Sequence, residues 1–97
     1  MDGYYVYILA SKPYGTLDIG VTNALIRRVF EHREGTVEGF TKNNGVKMLV
    51  WYEQHSTIEA AIQREKSLKR WPRQWKINLI ERDNPHWVDL YPAISGN

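Results

Sequence analysis

The chain has 97 residues, which fits one domain and leaves little room for a second. Hydrophobic residues make up 42% and charged residues 25%, as in ordinary globular proteins, and the absence of cysteine excludes disulfides and thiolate metal sites. The formal net charge of +2 is only a weak indication of an anionic partner, and the distribution of the charges says more.

The first part of the chain predicts two strands and a helix. Residues Tyr4 to Leu9 are apolar or aromatic on both faces, which predicts a strand that is covered on both sides and central in its sheet. Apolar and polar residues alternate from Thr16 to Thr22, as in a half-buried second strand. A helix is expected from Asn23 to Glu34, with Thr22 or Asn23 as its N-cap and Gly35 near its end.

The second part predicts one more strand and two helices. After a polar loop from Thr36 to Gly45, the segment Val46 to Glu53 is rich in the residues that strands favour. A capping box at Ser56 to Glu59, with Ser56 as the N-cap, opens a helix that reaches about Arg70. Pro72 is expected at the first position of a third helix, which ends near Arg82. The apolar tail residues are expected to pack back onto the fold: Trp87, Leu90 and Tyr91.

The element order β-β-α-β-α-α predicts a small three-stranded antiparallel sheet flanked by three helices, an α+β fold in a single domain spanning residues 1–97. No apolar run approaches the ~20 residues that a membrane span needs, and the start of the chain lacks the pattern of a signal peptide. We therefore expect a cytoplasmic protein without a membrane partner. The three histidines lack zinc-ligand spacing, and no phosphate-binding glycine loop is present.

One acidic residue of the second helix falls on its apolar face. Glu65 lies in the middle of a stripe formed by Ile58, Ala61, Ile62 and Leu68. A carboxylate on an inward face costs several kcal/mol unless it is paired or binds a metal ion. A metal site is one alternative at this point, and a buried salt bridge or a position at the end of the stripe that reaches solvent is the equal other.

The first helix and first strand also place polar groups inward. Arg28 and His32, four residues apart, lie on the side of the helix that carries its apolar residues, where they can hold a phosphate and transfer a proton. For His32 alone, a buried core histidine is the more common explanation. Tyr5 and Tyr7 share one face of the first strand, where packing is the usual role. Together, Tyr, Arg, His and Glu on neighbouring elements indicate a phosphodiesterase site with an oxygen-bound divalent cation.

Basic residues concentrate in two segments. One contains Arg27, Arg28 and Arg33, and the other runs from Arg64 to Lys76 with Glu65 as its only acid. A solvated helical face is the usual reason for such a run, and contact with nucleic acid is the alternative. Trp71 and Trp75 could stack on bases. The spacing of Trp75 and Leu79, four residues apart, favours packing in the core instead.

These motifs resemble the GIY-YIG nuclease superfamily, in particular its small single-domain bacterial proteins of the UPF0213 type. The resemblance covers about Tyr4 to Tyr91 and includes the segments Glu38 to Lys42 and Asn84 to Trp87. Its matching motifs are Tyr5-Val6-Tyr7, Asp18-Ile19-Gly20, Arg28-x-x-x-His32 and Arg64-Glu65-x-x-Leu68-Lys69-x-Trp71.

The resemblance implies a metal-dependent endonuclease and a role for each matched residue. Tyr7 would help to activate the attacking water, with Tyr5 as a second candidate, and Gly20 would allow a close backbone approach. Arg28 would stabilise the pentavalent phosphorus, and His32 would orient water or transfer a proton. Glu65 would bind one divalent ion, Mg²⁺ or Mn²⁺. Members of the family generally cut nucleic acids, in repair, restriction, homing or junction processing. The side chains expected to contact nucleic acid are Arg27, Lys42, Arg64, Lys69, Arg70 and Arg73.

Asp18 departs from the pattern, which has a tyrosine at this position. Asp18 shares a strand face with Gly20, so it could replace the proton acceptor, add a metal ligand beside Glu65, or disable the site. The expected function is therefore hydrolysis of DNA with low sequence specificity by a protein for which a monomer is favoured. The alternatives are a catalytically impaired nucleic-acid-binding domain and a protein-interaction module. Some family members also use a late asparagine, for which Asn78 and Asn84 are candidates.

Overall fold

The structure is a computed structural model that describes residues 3–35 and 45–96. The predicted loop therefore lies outside the described residues except for Gly45. Lys42, which we expect to contact nucleic acid, also lies outside them, as does the matched segment from Glu38 to Lys42.

Three strands form one antiparallel sheet, as the sequence predicts. They are β1 (Tyr4–Ala10), β2 (Leu17–Thr22) and β3 (Met48–His55), in the order β2-β1-β3. β1 is the central strand because it pairs with a neighbour on each side. In the register of β1 with β2, Tyr7 lies opposite Gly20 and Leu9 opposite Asp18, which places these four residues on one face of the sheet.

Helices cover both faces of the sheet. The three predicted helices are α1 (Leu25–Glu34), α2 (Ile58–Arg70) and α3 (Arg73–Asp83), and a short α4 (Tyr91–Ser95) adds one that the sequence did not predict. These strands and helices confirm the predicted α+β fold class. No helix among residues 3–35 and 45–96 is both long and apolar enough to cross a membrane.

The predicted helix starts are wrong by one or two residues. α1 has Ala24 as its N-cap, because the hydroxyl of Thr22 accepts a hydrogen bond from the Ala24 backbone N–H at 3.0 Å and holds the chain one step before the helix. α2 is capped by Thr57 rather than Ser56, since the Thr57 hydroxyl accepts from the Ala60 N–H at 3.2 Å. Pro72 occupies the N-cap of α3 rather than its first helical position.

Two buried clusters lie on opposite faces of β1 and explain why this strand is apolar throughout. Val6, Ile8 and Ala10 pack with residues of α2 and α3 on one face. Tyr5, Tyr7 and Leu9 pack with residues of α1 on the other, where α4 and the preceding chain also dock. Burial of apolar surface on both faces stabilises the sheet and fixes the positions of the two helices that carry the candidate site residues.

The tail packs onto the body as predicted. Trp87 is buried, and Leu90 packs against the second cluster, where its backbone N–H donates to the carbonyl of Leu49 at 2.8 Å. The side-chain amide of buried Asn84 donates to the carbonyls of Val50 and Val88, which ties the end of α3 to β3.

The predicted burial of Trp75 is wrong. Trp75 is 55% exposed, whereas Leu79 on the same helix is buried. The indole of Trp75 instead packs edge-to-face on Trp71, which precedes α3, with 5.8 Å between the ring centroids. Contact with a residue outside the helix therefore decides its position.

Candidate active site

The ring of Tyr7 lies across the backbone of β2 at Gly20. A Cβ atom at position 20 would come within 2.3 Å of the Tyr7 hydroxyl oxygen and 2.5 Å of the ring carbon Cζ. No side chain fits at that distance, so glycine is required where the tyrosine crosses the edge strand. The phenol hydroxyl consequently lies over β2 rather than inside the sheet.

Arg28 on α1 reaches this hydroxyl. Its Nε donates a long hydrogen bond of 3.4 Å to the Tyr7 oxygen. Burial raises the pKa of Tyr7, and the Arg28 guanidinium only partly opposes that effect. Tyr7 is therefore a neutral phenol at neutral pH. The Arg28 side chain remains 42% exposed and forms a 3.8 Å ion pair with Glu31, so its guanidinium is accessible to a ligand as well as to the tyrosine.

His32 completes the group on α1. It is buried, with 3% of its surface exposed, and its ring meets the ring of Tyr7 edge-on at 6.2 Å between centroids. Burial lowers the pKa of His32, and the positive charge of Arg28 lowers it further. His32 is thus held as a neutral imidazole, in which one ring nitrogen donates a hydrogen bond and the other accepts one.

Asp18 lies on the same face of β2 as Gly20. Burial raises the pKa of its carboxyl group, whereas Lys69 and Arg28, together with His32 whenever that ring is protonated, lower it. These charges come from α1 on one face of the sheet and α2 on the other. Asp18 therefore lies at the β2 edge of the sheet, between the two helices.

Glu65 on α2 belongs to the same group of charges. Its side chain is 16% exposed, and its carboxylate forms a 3.2 Å ion pair with Lys69, one turn further along the helix. The negative charge of Glu65 contributes to the raised pKa of both Tyr7 and Asp18. A salt bridge was one of the alternatives for Glu65, and the spacing of four residues to Lys69 is the usual signal for such a pair.

The donors at this edge suit a hard divalent cation. Glu65 and Asp18 offer carboxylate oxygens, which Mg²⁺ and Mn²⁺ prefer, and the Lys69 ammonium that pairs with Glu65 belongs to a 54% exposed side chain. Within the described part of the chain, no group of three or more His, Asp or Glu side chains could hold a metal ion. One or two carboxylates are compatible with a divalent ion that keeps several of its waters.

Other candidates have different surroundings. Tyr5 packs on the same sheet face as Tyr7, but its ring meets Tyr52 of β3 at 6.3 Å. Asn84 is held by backbone carbonyls of β3 and the tail, and Asn78 lies on the exposed side of α3, where Gln74 donates to it at 2.9 Å.

Two of the basic side chains are bound within the fold. Arg64 donates to Glu53 at 3.0 Å and 3.4 Å, and Arg73 donates to the carbonyls of Tyr14 and Gly15, each at 2.7 Å. Arg27, Lys69 and Arg70 are exposed. Arg27 and Arg28 line a cleft of about 350 Å³ beside the start of α1, a feature that the sequence did not reveal.

The model of the GIY-YIG catalytic domain matches residues 3–78 of the sequence, a range that contains Tyr7, Asp18, Gly20, Arg28, His32 and Glu65. The chain belongs to the GIY-YIG family. This is a nuclease family, whose members generally use a divalent metal ion.

The similar proteins are small members of the UPF0213 group. UPF0213 protein SSP2268 of Staphylococcus saprophyticus is 34% identical over 82% of this chain and 96% of its own length. UPF0213 protein SERP0126 of Staphylococcus epidermidis is 32% identical over 84% of this chain and 98% of its own length. The solution NMR structure of UPF0213 protein BH0048 from Bacillus halodurans superimposes with a TM-score of 0.57 at 27% identity, covering 92% of this chain and 94% of that one.

Proposed function

We propose that this GIY-YIG protein is a divalent-metal-dependent endonuclease that hydrolyses DNA phosphodiester bonds with low sequence specificity. The observation that carries the proposal is the hydrogen bond of Arg28 to the Tyr7 hydroxyl above Gly20, at a sheet edge that also carries the charges of Asp18 and Glu65.

In this proposal Arg28 stabilises the charge that builds up on the phosphate. Hydrolysis forms a bond between a water oxygen and phosphorus and breaks a bond to the leaving ester oxygen, so negative charge increases on the oxygens that remain. The Arg28 guanidinium keeps donors available beside its single Nε bond to Tyr7. Its partial exposure allows a phosphate to reach them.

Tyr7 and His32 orient the attacking water. As a neutral phenol that accepts from Arg28, Tyr7 has its own O–H to donate and a second lone pair that can accept a hydrogen bond from water. The neutral His32 ring packs against the Tyr7 ring and holds it over Gly20. Asp18 is a carboxylate base at the same edge, which suits it to accept the proton that water loses.

Glu65 would hold the metal ion, Mg²⁺ or Mn²⁺, with Asp18 as a second carboxylate within the same group of charges. When bound, the ion would neutralise phosphate charge and stabilise the leaving oxygen. In the absence of the metal ion, the Lys69 ammonium group balances the charge of the Glu65 carboxylate. A bound metal ion would take over this role from Lys69.

Exposed basic side chains would hold the DNA backbone. Arg27 lines the cleft beside Arg28, and Lys69 and Arg70 stand at the end of α2, so phosphates on either side of the scissile bond have cationic partners. Contacts of this kind read no base sequence, which is the reason for proposing low specificity.

The test is cleavage of labelled duplex, single-stranded and branched DNA with Mg²⁺ or Mn²⁺ by the parent chain, Glu65→Gln and Glu59→Gln. Glu59 is an exposed acid of the same helix and serves as the matched control. We expect Glu65→Gln to lower the rate at least about 100-fold and Glu59→Gln to leave it within about twofold. Equal cleavage by parent and Glu65→Gln would contradict the proposed role of Glu65 as the metal ligand.

The alternative is a catalytically impaired nucleic-acid-binding domain. Asp18 favours this alternative, because the family pattern has a tyrosine at its position among the catalytic candidates. The carboxylate also adds negative charge where, in the proposed reaction, a phosphate would bind. This alternative predicts salt-sensitive binding of DNA with no cleavage under any metal condition.

A further inference from the structure

An aromatic groove lies beside the junction of α2 and α3, and the proposed hydrolysis makes no use of it. The groove has a volume of about 420 Å³ and is lined by Trp71, Trp75, Asn78, Leu79 and Arg82. Trp75 is 55% exposed, although burying an indole is strongly favourable. Large apolar side chains gathered in an exposed groove are typical of binding surfaces.

The two indoles are held in place before any ligand arrives. The Trp71 ring packs edge-to-face with Trp75 at an interplanar angle of 77°, and the Arg64 guanidinium lies 5.4 Å from its centroid. Arg64 is itself fixed by its ion pair with Glu53. A platform ordered in this way loses little conformational entropy when a planar group stacks on it.

The charge around the groove is positive. Arg82, with a 64% exposed side chain, lines it and forms a 3.5 Å ion pair with the equally exposed Asp83. Lys76 follows Trp75 in the first turns of α3, a helix without acidic residues in its first turn. Glu81 is directed away, because its carboxylate accepts hydrogen bonds from Tyr14 and Trp87. This rim suits a polyanion.

The groove also connects to the candidate active site through side-chain contacts. The Lys76 ammonium donates to the backbone carbonyl of Lys69 at 3.4 Å, and the Lys69 side chain pairs with Glu65 at 3.2 Å. Lys69 and Lys76 therefore connect Glu65 to the turn of α3 that carries Trp75.

We propose that this groove stacks an unpaired base of the nucleic acid that enters the candidate active site. The substrate would then carry a single-stranded or flipped-out nucleotide close to the scissile phosphate, because bases inside a continuous duplex present no free face to an indole. This inference rests on the proposed function for the identity of the ligand, and it adds the structure of the substrate.

The test measures binding in EDTA, so that no cleavage occurs. Fluorescence anisotropy compares a labelled duplex that contains a short single-stranded gap with a continuous duplex of the same length. The variants are Trp75→Ala, Trp75→Phe and, as a control for loss of exposed apolar surface elsewhere, Val88→Ala, since Val88 is 57% exposed. Because Trp75 is largely exposed, its replacement leaves the core intact, and circular dichroism verifies folding.

We expect the parent to prefer the gapped duplex. Trp75→Ala should weaken binding of the gapped DNA roughly 5- to 150-fold and leave the continuous duplex within about twofold. Trp75→Phe should retain most of the preference because it keeps an aromatic face, and Val88→Ala should behave like the parent.

Two results would overturn the inference. The first is that Trp75→Ala weakens binding of both DNAs equally or of neither. The second is that sedimentation shows a dimer of the parent that Trp75→Ala separates while DNA binding is unchanged, which would assign the groove to a second copy of the chain. Both readouts are independent of metal and of cleavage. A chain that prefers gapped DNA but never cuts would therefore contradict the proposed hydrolysis and leave the groove assignment standing.

Discussion

The hydroxyl of Tyr7 occupies the space where a side chain of Gly20 would begin. The distance from the Tyr7 oxygen to a Cβ built on Gly20 is 2.3 Å, far below any real contact between such atoms. A tyrosine on the central strand thus reaches the open edge of the sheet by crossing a residue without a side chain, and Arg28 meets it there.

Gly20→Ala should therefore displace the Tyr7 ring and separate its hydroxyl from Arg28. We expect a loss of about 1–3 kcal/mol of folding stability, the usual cost of overpacking, together with a large loss of cleavage. Urea unfolding and the cleavage assay measure the two effects. In a Tyr7→Ala background the ring is gone, so the same substitution should cost much less stability. An equal cost in both backgrounds would show that the contact with Tyr7 is not its cause.

Arg28 and its neighbour Arg27 should behave differently. Both arginines line the same cleft, but the hydrogen bond to the Tyr7 hydroxyl comes from Arg28. We expect Arg28→Ala to lower the cleavage rate constant about 10²- to 10³-fold, as for removal of one charge-stabilising donor. Arg27→Ala should mainly weaken DNA binding, with a shallower dependence on salt. Equal effects of both substitutions on the rate constant would contradict the assigned role of Arg28.

The main features of the fold could be predicted because they follow from local patterns. A strand with two apolar faces must be covered twice, and β1 is indeed central with a cluster on each face. The ends of the helices could not be predicted to the residue. Ser56 and Thr57 are both good caps, and the choice between them depends on the backbone geometry that places the Thr57 hydroxyl near the Ala60 N–H.

Contacts between distant segments limited the prediction of the site. The spacing of Arg28 and His32 correctly placed both on the inner side of α1. No local pattern indicates that Arg73 binds carbonyls 58 and 59 residues earlier. Residues that look alike in a basic run therefore differ in their surroundings once the chain folds.

Asp18 should lower stability at neutral pH. Burial raises its pKa in the folded state, so the neutral acid is favoured by folding. The folded state therefore keeps its full stability below the pKa that Asp18 has in the unfolded chain, near 4. Part of that stability is lost as the pH rises through the higher pKa of Asp18 in the folded state. Asp18→Asn should therefore have a higher Tm than the parent at pH 7, and the difference should shrink on acidification below about pH 4. The exposed Asp83→Asn serves as the control, with a change within about 0.5 kcal/mol. A gain for Asp18→Asn that stays constant with pH would exclude this explanation.

Asp18→Tyr restores the residue that the family pattern has at this position. If Asp18 serves catalysis in this chain, the substitution should lower cleavage, since the base at the sheet edge is lost. Initial rates with Mn²⁺ for parent and variant at equal protein concentration decide the question. A parent that is inert beside an active Asp18→Tyr variant would instead identify the chain as a disabled nuclease and support the binding alternative.

Lys69 should compete with the metal ion for Glu65. Its ammonium group pairs with the carboxylate at 3.2 Å, in a partly exposed setting where such pairs contribute about 0.2–1 kcal/mol. Lys69→Met removes the competing charge and should lower the Mn²⁺ concentration for half-maximal binding by roughly 1.5- to 5-fold. Calorimetric titration without DNA measures this, with exposed Lys66→Met as the control. Unchanged affinity in Lys69→Met would mean that the ion binds elsewhere or that the pair contributes nothing.

Arg73 and Arg70 belong to the same basic run but should differ in function. Arg73 donates two hydrogen bonds of 2.7 Å to the turn between β1 and β2, whereas Arg70 is exposed at the end of α2. Arg73→Ala should lower the free energy of unfolding by about 1–2 kcal/mol with little change in DNA affinity, because the two hydrogen bonds of its Nη2 hold the guanidinium at the turn. Arg70→Ala should leave stability within about 0.5 kcal/mol and reduce the salt dependence of DNA binding. Chemical denaturation and binding at two salt concentrations distinguish the two residues. A reversed pattern would mean that Arg73 leaves the turn to contact DNA.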